Sequence, residues 1–166
     1  MSGDDKRPKP KAGALRRSLA RLAAVQALYQ IDLTEVPVDT VLAEFRNRSD
    51  DEESFGEADD ELFEDIVRGT VARRAAIDEL IAGALSPEWP LARLEVVLRA
   101  VLRGGAYELV ARLEVPARVI INEYMELAHA FFSGKEPGMV NGVLDKLAHR
   151  LRASELAEGR SGGPPR

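Results

Sequence analysis

Residues 140–152 read VNGVLDKLAHRLR, and the apolar side chains of this stretch recur every three or four positions. That spacing places them on one face of an α-helix. The members of the stripe are Val140, Val143, Leu144, Leu147 and Leu151. The same periodicity extends through most of the chain, without the strict alternation that is typical of a half-buried β-strand. The sequence therefore predicts an all-α protein, a compact bundle of six to seven helices.

Turn signals divide this pattern into separate helices. A polar, acidic stretch over residues 47–60 predicts a loop. The helix after it has two candidate N-caps, a capping box of Ser54 with Glu57 or the single residue Asp59. The predicted helices are residues 14–33, a short helix after Pro37, and residues 57–82, 91–113, 116–132 and 138–152.

A pair of glycines, Gly104 and Gly105, lies inside the predicted fourth helix. Each glycine costs about 1 kcal/mol relative to Ala in a helix interior. We expect close packing of a neighbouring helix as the reason, with a kink as the alternative. Outside the helical region, residues 1–13 are predicted to be a disordered basic arm and residues 153–166 a flexible tail. Residues 14–152 would form one helical domain.

Composition excludes several classes of protein. The chain has 166 residues and no Cys, so it has no disulfide framework and no thiolate metal site, which fits a reducing cytoplasm. No apolar run approaches the roughly 20 residues that a membrane span needs. The N-terminus has positive charge without an apolar stretch behind it, so a secretory signal is not expected.

Charge is distributed unevenly along the chain. The net charge is -5, but residues 1–21 contain seven basic and two acidic residues, a net charge of +5 that leaves -10 for the remainder. Such polarity has two interpretations: a phosphate-binding arm on an acidic body, or a solvated tail without a ligand. Composition alone does not choose between them.

No pattern typical of catalysis is present. The two histidines, His129 and His149, are twenty positions apart and show no metal-binding spacing. Phosphate-binding glycine loops and nucleophile elbows are also missing from the sequence. We therefore expect a protein that is not an enzyme and that uses no metal and no cofactor.

The start of the first helix is more informative. Arg17 and Arg21 are four positions apart, which predicts that they share one helix face, and Arg16 lies beside them. We expect the side chains of Arg17 and Arg21 to face solvent. A helix start also offers unpaired backbone N–H groups and the positive end of the helix dipole. Tyr29, further along, either stacks on a base or is a half-buried core tyrosine.

Four stretches resemble the NusB family in their order and spacing. They are ARLAAVQALYQIDLT (residues 20–34), VLRGGAYELV (101–110), VPARVIINEYMELAHAF (115–131) and MVNGVLDKLAHRLR (139–152). The resemblance implies two small helical bundles packed together. It also implies binding of boxA-type RNA together with NusE, a ribosomal small-subunit protein. With other Nus factors, such a complex modifies RNA polymerase so that it reads through terminators, notably in ribosomal RNA operons.

By position, the resemblance implies two sets of site residues. The RNA contacts would be Arg16, Arg17, Arg21, Gln26, Tyr29 and Phe131. The contacts with NusE would be Glu95, Arg99 and Arg103.

The chain departs from the family at three positions: Leu98 and Lys135 replace residues that are often acidic, and Met139 replaces an aromatic. Two alternatives stay open. One is a stand-alone relative of the RNA-binding domain of RNA methyltransferases. The other is a structural helical scaffold that binds no RNA.

Overall fold

The computed structural model describes residues 12–51 and 58–161, with side chains described only for residues 12–48 and 58–157. Residues 1–11, which make up most of the predicted disordered arm, lie outside the described residues, as does the predicted capping box of Ser54 and Glu57. The described residues form eight α-helices, one short 3-10 helix and no β-strand. The prediction of an all-α fold is therefore confirmed.

The helices follow one another with short connections. They are α1 (Ala12–Thr34), α2 (Val38–Asp51), α3 (Asp60–Ala72), α4 (Arg74–Ala84), the 3-10 helix Leu91–Arg93, α5 (Val96–Ala111), α6 (Ala117–Phe131), α7 (Glu136–Leu151) and α8 (Ala153–Ser161). α1, α2 and α3 pack together as one bundle, and α4 to α7 form a second. α5 lies at the centre and packs against α1, α3, α4, α6 and α7.

Close approach of helices explains the glycine pair in α5. A Cβ atom on Gly104 would lie 2.9 Å from a ring carbon of Tyr124, and one on Gly105 would lie 2.8 Å from a methyl group of Leu144. These distances are shorter than van der Waals contact, so α6 and α7 approach α5 only because no side chain intervenes. α5 continues through both glycines. Close packing, and not a kink, is therefore confirmed.

Several predicted boundaries were wrong. The expected helix over residues 57–82 is two helices that meet at Arg73, where the backbone leaves helical geometry and α4 can turn to pack on α5 and α7. The expected fourth helix begins later, because Leu94 and Glu95 are extended between the 3-10 helix and α5. α2 extends to Asp51, into the expected loop. α1 begins at Ala12, inside the expected arm.

One candidate N-cap of α3 is confirmed. The side chain of Asp59 accepts a hydrogen bond of 3.1 Å from the backbone N–H of Leu62, as an N-cap carboxylate does. The backbone N–H of Asp59 donates to the carbonyl of Arg16 at 3.0 Å. The start of α3 is thereby fixed against the start of α1.

The expected flexible tail also contains structure. Ala153–Ser161 forms a helix, an element that the sequence analysis did not predict. The buried guanidinium of Arg152 explains its attachment. It donates to the carbonyls of Glu108 and Leu109 at the end of α5, and to those of Arg112 and Val115 in the segment that follows. The carbonyls of Glu108 and Arg112 also accept backbone hydrogen bonds, from the N–H groups of Arg112 and Val115.

A second contact continues this link into α8. Arg152 contacts Glu155 at 3.2 Å, and Glu155 accepts a 2.8 Å hydrogen bond from the first N–H of α6, on Ala117. Leu156 packs against the core. α8 is therefore held by contacts that are distant in sequence rather than by an apolar stripe of its own.

Candidate nucleic-acid and partner surfaces

The start of α1 carries the candidate RNA-binding arginines. Arg16 and Arg17 lie in the first turns of α1, and both side chains are exposed. The hydroxyl of the next residue, Ser18, donates to the carboxylate of Glu123 on α6, with both oxygens at 3.0 Å. This contact lies in a groove of about 420 Å³ between α1 and α6. Two of the three predicted cations of this helix thus face solvent beside a groove.

Arg21, by contrast, was predicted to face solvent, and that prediction was wrong. The side chain is only 2% exposed. Its Nε and Nη2 donate to the two carboxylate oxygens of Glu108 at 2.8 and 2.9 Å, a bidentate pair between α1 and α5. The hydroxyl of Tyr124 on α6 donates to the same carboxylate at 2.6 Å. Arg21 therefore joins three helices and is not available to a phosphate.

The electrostatics of this buried group favour its ionised arginine. Burial by itself lowers the pKa of Arg21, but the hydrogen bonds and charge of Glu108 outweigh that effect and raise it. Burial, followed by the charge of Glu108, raises the pKa of Tyr124 well above its usual value. Tyr124 consequently remains a hydrogen-bond donor. The group is a closed, satisfied network within the protein.

The remaining predicted RNA residues are spread along two helices. Gln26 and Tyr29 lie in the second half of α1, where both are half-buried, and Tyr29 packs against the core. That environment agrees with the interpretation of Tyr29 as a half-buried core tyrosine. Phe131 at the end of α6 is 39% exposed. It lies eight residues, or about 12 Å of helix, beyond Glu123 on the same side of α6. Because Gln26 and Tyr29 lie on α1 and Phe131 lies at the end of α6, the predicted RNA residues do not form one cluster.

The predicted partner residues meet at the other end of α1. Asp32 accepts hydrogen bonds from Arg99 at 3.1 Å and Arg103 at 3.0 Å, both on α5, and from Arg74 on α4 at 3.1 Å. Arg103 also makes a bidentate pair with Asp78 at 2.8 and 3.0 Å. We call these five residues the Asp32 cluster.

This arrangement corrects part of the predicted partner surface. Arg103 was expected to face a partner, but its side chain is only 8% exposed and is held by two carboxylates. Arg99 is half-buried and also donates to the carbonyls of Ala92 and Leu94. Glu95 is exposed. Arg103 therefore lies beneath this surface, where it holds Asp32 and Asp78, and does not project into solvent.

The charge balance in the Asp32 cluster has a measurable consequence. Burial by itself raises the pKa of Asp32, but the charges of Arg103, Arg99 and Arg74 outweigh it and lower the pKa. Three guanidiniums face two carboxylates, so the cluster has an excess of one positive charge. Leu98, which replaces a residue that is often acidic in the family, is buried in the core and offers no side chain to a partner.

Sequence reasoning missed Asp32 and misplaced Arg21. A signal for Arg21 existed, because Val25 and Leu28 follow it at the i+4 and i+7 positions of the buried stripe. Glu108 is likewise surrounded by apolar residues in α5, which signals a buried partner of opposite charge. For Asp32 no comparable pattern exists, since its three arginines come from two other helices.

Neither a metal cluster nor a membrane-spanning segment is found among the described residues. No group of three His, Asp or Glu side chains within residues 12–48 and 58–157 converges as metal ligands would. None of the helices over the described residues combines the length and apolar character that crossing a membrane requires.

Comparison with known proteins agrees with this fold. The family model described as "NusB family" matches residues 18–149. A transcription antitermination protein NusB of Rhodopseudomonas palustris is 47% identical over 161 residues, covering 93% of this chain and 95% of the relative. A protein of the same name from a Bradyrhizobium species is 50% identical over 147 residues, covering 86% and 87%.

Solved structures give the same fold. A crystal form of T. maritima NusB is 30% identical, with a TM-score of 0.72, and the match covers 85% of this chain and 96% of that one. A structure titled as antitermination factors NusB and NusE in complex with dsRNA is 24% identical, with a TM-score of 0.67 over 80% of this chain and 96% of that one. At that identity the second match supports the fold alone.

The described residues therefore define an all-α protein of two packed helical bundles, with a basic start of α1 and a surface cluster of ion pairs. The chain belongs to the NusB family of transcription antitermination proteins. The resemblance predicted from the sequence is thus confirmed. Members of this family are transcription factors and not enzymes. This agrees with the expectation, drawn from the sequence, that the protein is not an enzyme.

Proposed function

We propose that this protein is a transcription antitermination factor that binds boxA-type single-stranded RNA together with NusE. In this role it acts in the cytoplasm with other Nus factors on RNA polymerase, and promotes terminator read-through and ribosomal RNA transcription. Family membership supports the general role. The structure of NusB and NusE with dsRNA supports both partners, because a protein of the same fold assembles with them.

The observation that carries the RNA-binding part is the exposure of Arg16 and Arg17 at the start of α1. Only the four uncharged residues 12–15 separate these two cations from the basic residues of the segment 6–11. A helix start adds unpaired N–H groups and a positive dipole end, both of which favour phosphate. The body of the protein is acidic, so the N-terminal region would supply most of the attraction to RNA.

The partner surface of this proposal is the face around Glu95 and the Asp32 cluster. The excess positive charge of that cluster suits an acidic group on a partner, and Glu95 adds an exposed carboxylate beside it. Complementary charges of this kind set orientation and association rate more than total affinity. RNA and NusE would then occupy opposite ends of α1.

A titration with short single-stranded RNA at several salt concentrations tests the proposal, with and without purified NusE. We expect affinity to fall as salt rises, and NusE to raise RNA affinity by a coupling of about 1–3 kcal/mol. Absence of RNA binding at every salt concentration would instead support the structural scaffold. A duplex of the same sequence as the single strand controls for the form of RNA preferred.

A further inference from the structure

The groove of about 420 Å³ between α1 and α6 has a lining that does not suit phosphate. Its apolar side chains are Val119, which is 43% exposed, and the half-buried Leu127. Between them on α6 lie two carboxylates, Glu123 and Glu126. These carboxylates repel the phosphates of RNA, whereas a chain with basic and apolar side chains matches the groove in both respects. The groove therefore favours a basic peptide segment over RNA.

The two carboxylates of this groove differ in how firmly the protein holds them. Glu123 accepts hydrogen bonds from Ser18 and lies 3.8 Å from Nη1 of Arg21. Glu126 is exposed, and none of the described side chains forms an ion pair or a hydrogen bond with it. The negative charge of Glu126 is therefore available to a basic ligand.

A basic segment of the same chain immediately precedes α1. Residues 6–11 read KRPKPK, so four cations alternate with two prolines whose rings are apolar. The segment leads into Ala12, and Ser18 at the groove lies six residues later, about 9 Å along α1. Six residues of extended chain span up to about 20 Å, which is enough to turn back at Ala12 and cover the groove.

We propose that residues 6–11 bind in the groove between α1 and α6 as an autoinhibitory segment, and leave it when RNA binds. Because the segment belongs to the same chain, its effective concentration at the groove is high, and weak ion pairs are sufficient to hold it. RNA phosphates compete with Glu126 for the same cations. The docking of the segment stands independently, whereas its inhibitory effect rests on the proposed function, because it assumes that the protein binds RNA.

A spin label at the start of the chain tests the docking directly. The sequence has no Cys, so a nitroxide attached to Ser2→Cys is unique, and all four cations of residues 6–11 are kept. In NMR spectra of the full-length protein, we expect this label to broaden the amide signals of α6 from Asn122 to Leu127 and to leave those of α4 unchanged. High salt or excess oligouridine should restore the α6 signals, because both compete for the ion pairs. Absence of broadening at low salt overturns the inference.

A second copy of the chain is the competing occupant of this groove, since Val119 and Leu127 are apolar. A mixture of spin-labelled protein with isotope-labelled protein that lacks the Cys separates the two cases, because only contacts between molecules broaden signals in that mixture. We expect no broadening there. Broadening as strong as in the singly labelled protein would assign the groove to a neighbouring copy and overturn the inference.

RNA titrations measure the inhibitory effect. Glu126→Gln should raise the affinity for oligouridine by about 1.5- to 5-fold, the range that corresponds to the loss of one exposed ion pair. Removal of a negative charge by itself also favours RNA, so Glu79→Gln, which neutralises an exposed carboxylate on α4, is the matched control. It should change the affinity less than Glu126→Gln does. Circular dichroism checks the folding of both variants.

Neutralising the segment provides a second control. In a protein that carries Lys9→Gln and Lys11→Gln, the effect of Glu126→Gln should shrink to that of Glu79→Gln, because the segment has lost half of its charge. An equal effect of Glu126→Gln with and without the two lysine changes would show that Glu126 acts on RNA directly, and would overturn the inhibitory role.

The spin label and the titrations separate this inference from the proposed function. RNA binding without broadening of the α6 signals overturns the inference and leaves the proposed function intact. Broadening that high salt reverses, in a protein that binds no RNA, supports the docking of residues 6–11 but overturns both the inhibitory role and the proposed function.

Discussion

Arg17 and Arg21 lie one turn apart on α1, and the structure gives them opposite environments. Arg17 is exposed, whereas Arg21 is enclosed by α5 and α6 and held by Glu108. A helical turn covers 3.6 residues, so a spacing of four rotates the second side chain by about 40°. At the border between the exposed and buried faces, that rotation separates a surface cation from a buried one.

The same contrast distinguishes the two polar groups that surround α1. The Arg21 group is closed, because its donors and acceptors satisfy one another inside the protein. The Asp32 cluster is open, because Arg74 is 47% exposed and the arginines outnumber the carboxylates. A closed group stabilises the contact between helices, whereas an open one retains charge that a partner can use. Substitutions in the two groups should therefore differ in what they change.

The largest expected effect comes from Glu108→Ala. This change leaves the guanidinium of Arg21 buried without its carboxylate, and removing one partner of a buried pair typically costs about 3–5 kcal/mol. Urea unfolding followed by circular dichroism measures it. Glu114→Ala, an exposed carboxylate in the loop after α5, is the control and should cost less than about 0.5 kcal/mol. Equal stability of the two variants would contradict the closed network.

A smaller loss is expected from Gly69→Ala, which tests how tightly α3 approaches α5. A Cβ atom at this position would lie 2.1 Å from the ring of Tyr107, so the ring must shift. Overpacking of this kind typically costs about 1–3 kcal/mol. Gly138→Ala is the matched control, because a Cβ there meets nothing within 4 Å. It should be neutral or slightly stabilising. Thermal unfolding of both variants provides the measurement.

The pattern of correct and wrong predictions follows from the same distinction between local and distant causes. The main helices were predictable because their apolar stripes are properties of neighbouring residues. The burial of Arg21 depends on Glu108, 87 positions away, and α8 depends on contacts of Arg152 and Glu155 with α5 and α6. The break at Arg73 has no Gly or Pro to signal it, since it arises from the packing of α4.

The open cluster predicts a dependence of stability on pH. The folded pKa of Asp32 lies below its ordinary value of 3.8. A carboxylate with a lowered folded pKa contributes stability above its unfolded pKa, and loses it as pH falls through the folded value. The difference in unfolding free energy between wild type and Asp32→Asn should therefore be present near pH 5 and shrink below about pH 4. A difference that stays constant down to pH 2 would contradict the ion-pair origin of the effect.

The smallest expected effect on stability, and the sharpest test of the comparison, comes from the arginines of α1. Changing Arg16 and Arg17 together to Gln should alter unfolding free energy by less than about 0.5 kcal/mol, because both side chains are exposed. The same double variant should lower the salt slope of RNA binding by about 1.4 if both contact phosphate.

Arg21→Gln should show the reverse pattern, since this change leaves Glu108 buried without its cation and destabilises the fold. Its RNA salt slope should remain that of the wild type under conditions where the variant is folded, because Arg21 contacts no phosphate. RNA titrations at several salt concentrations, paired with urea unfolding, measure both properties for each variant. If Arg21→Gln lowered the salt slope while Arg16 and Arg17 did not, the outward and inward roles assigned to the two turns of α1 would be reversed, and the proposed RNA surface would be wrong.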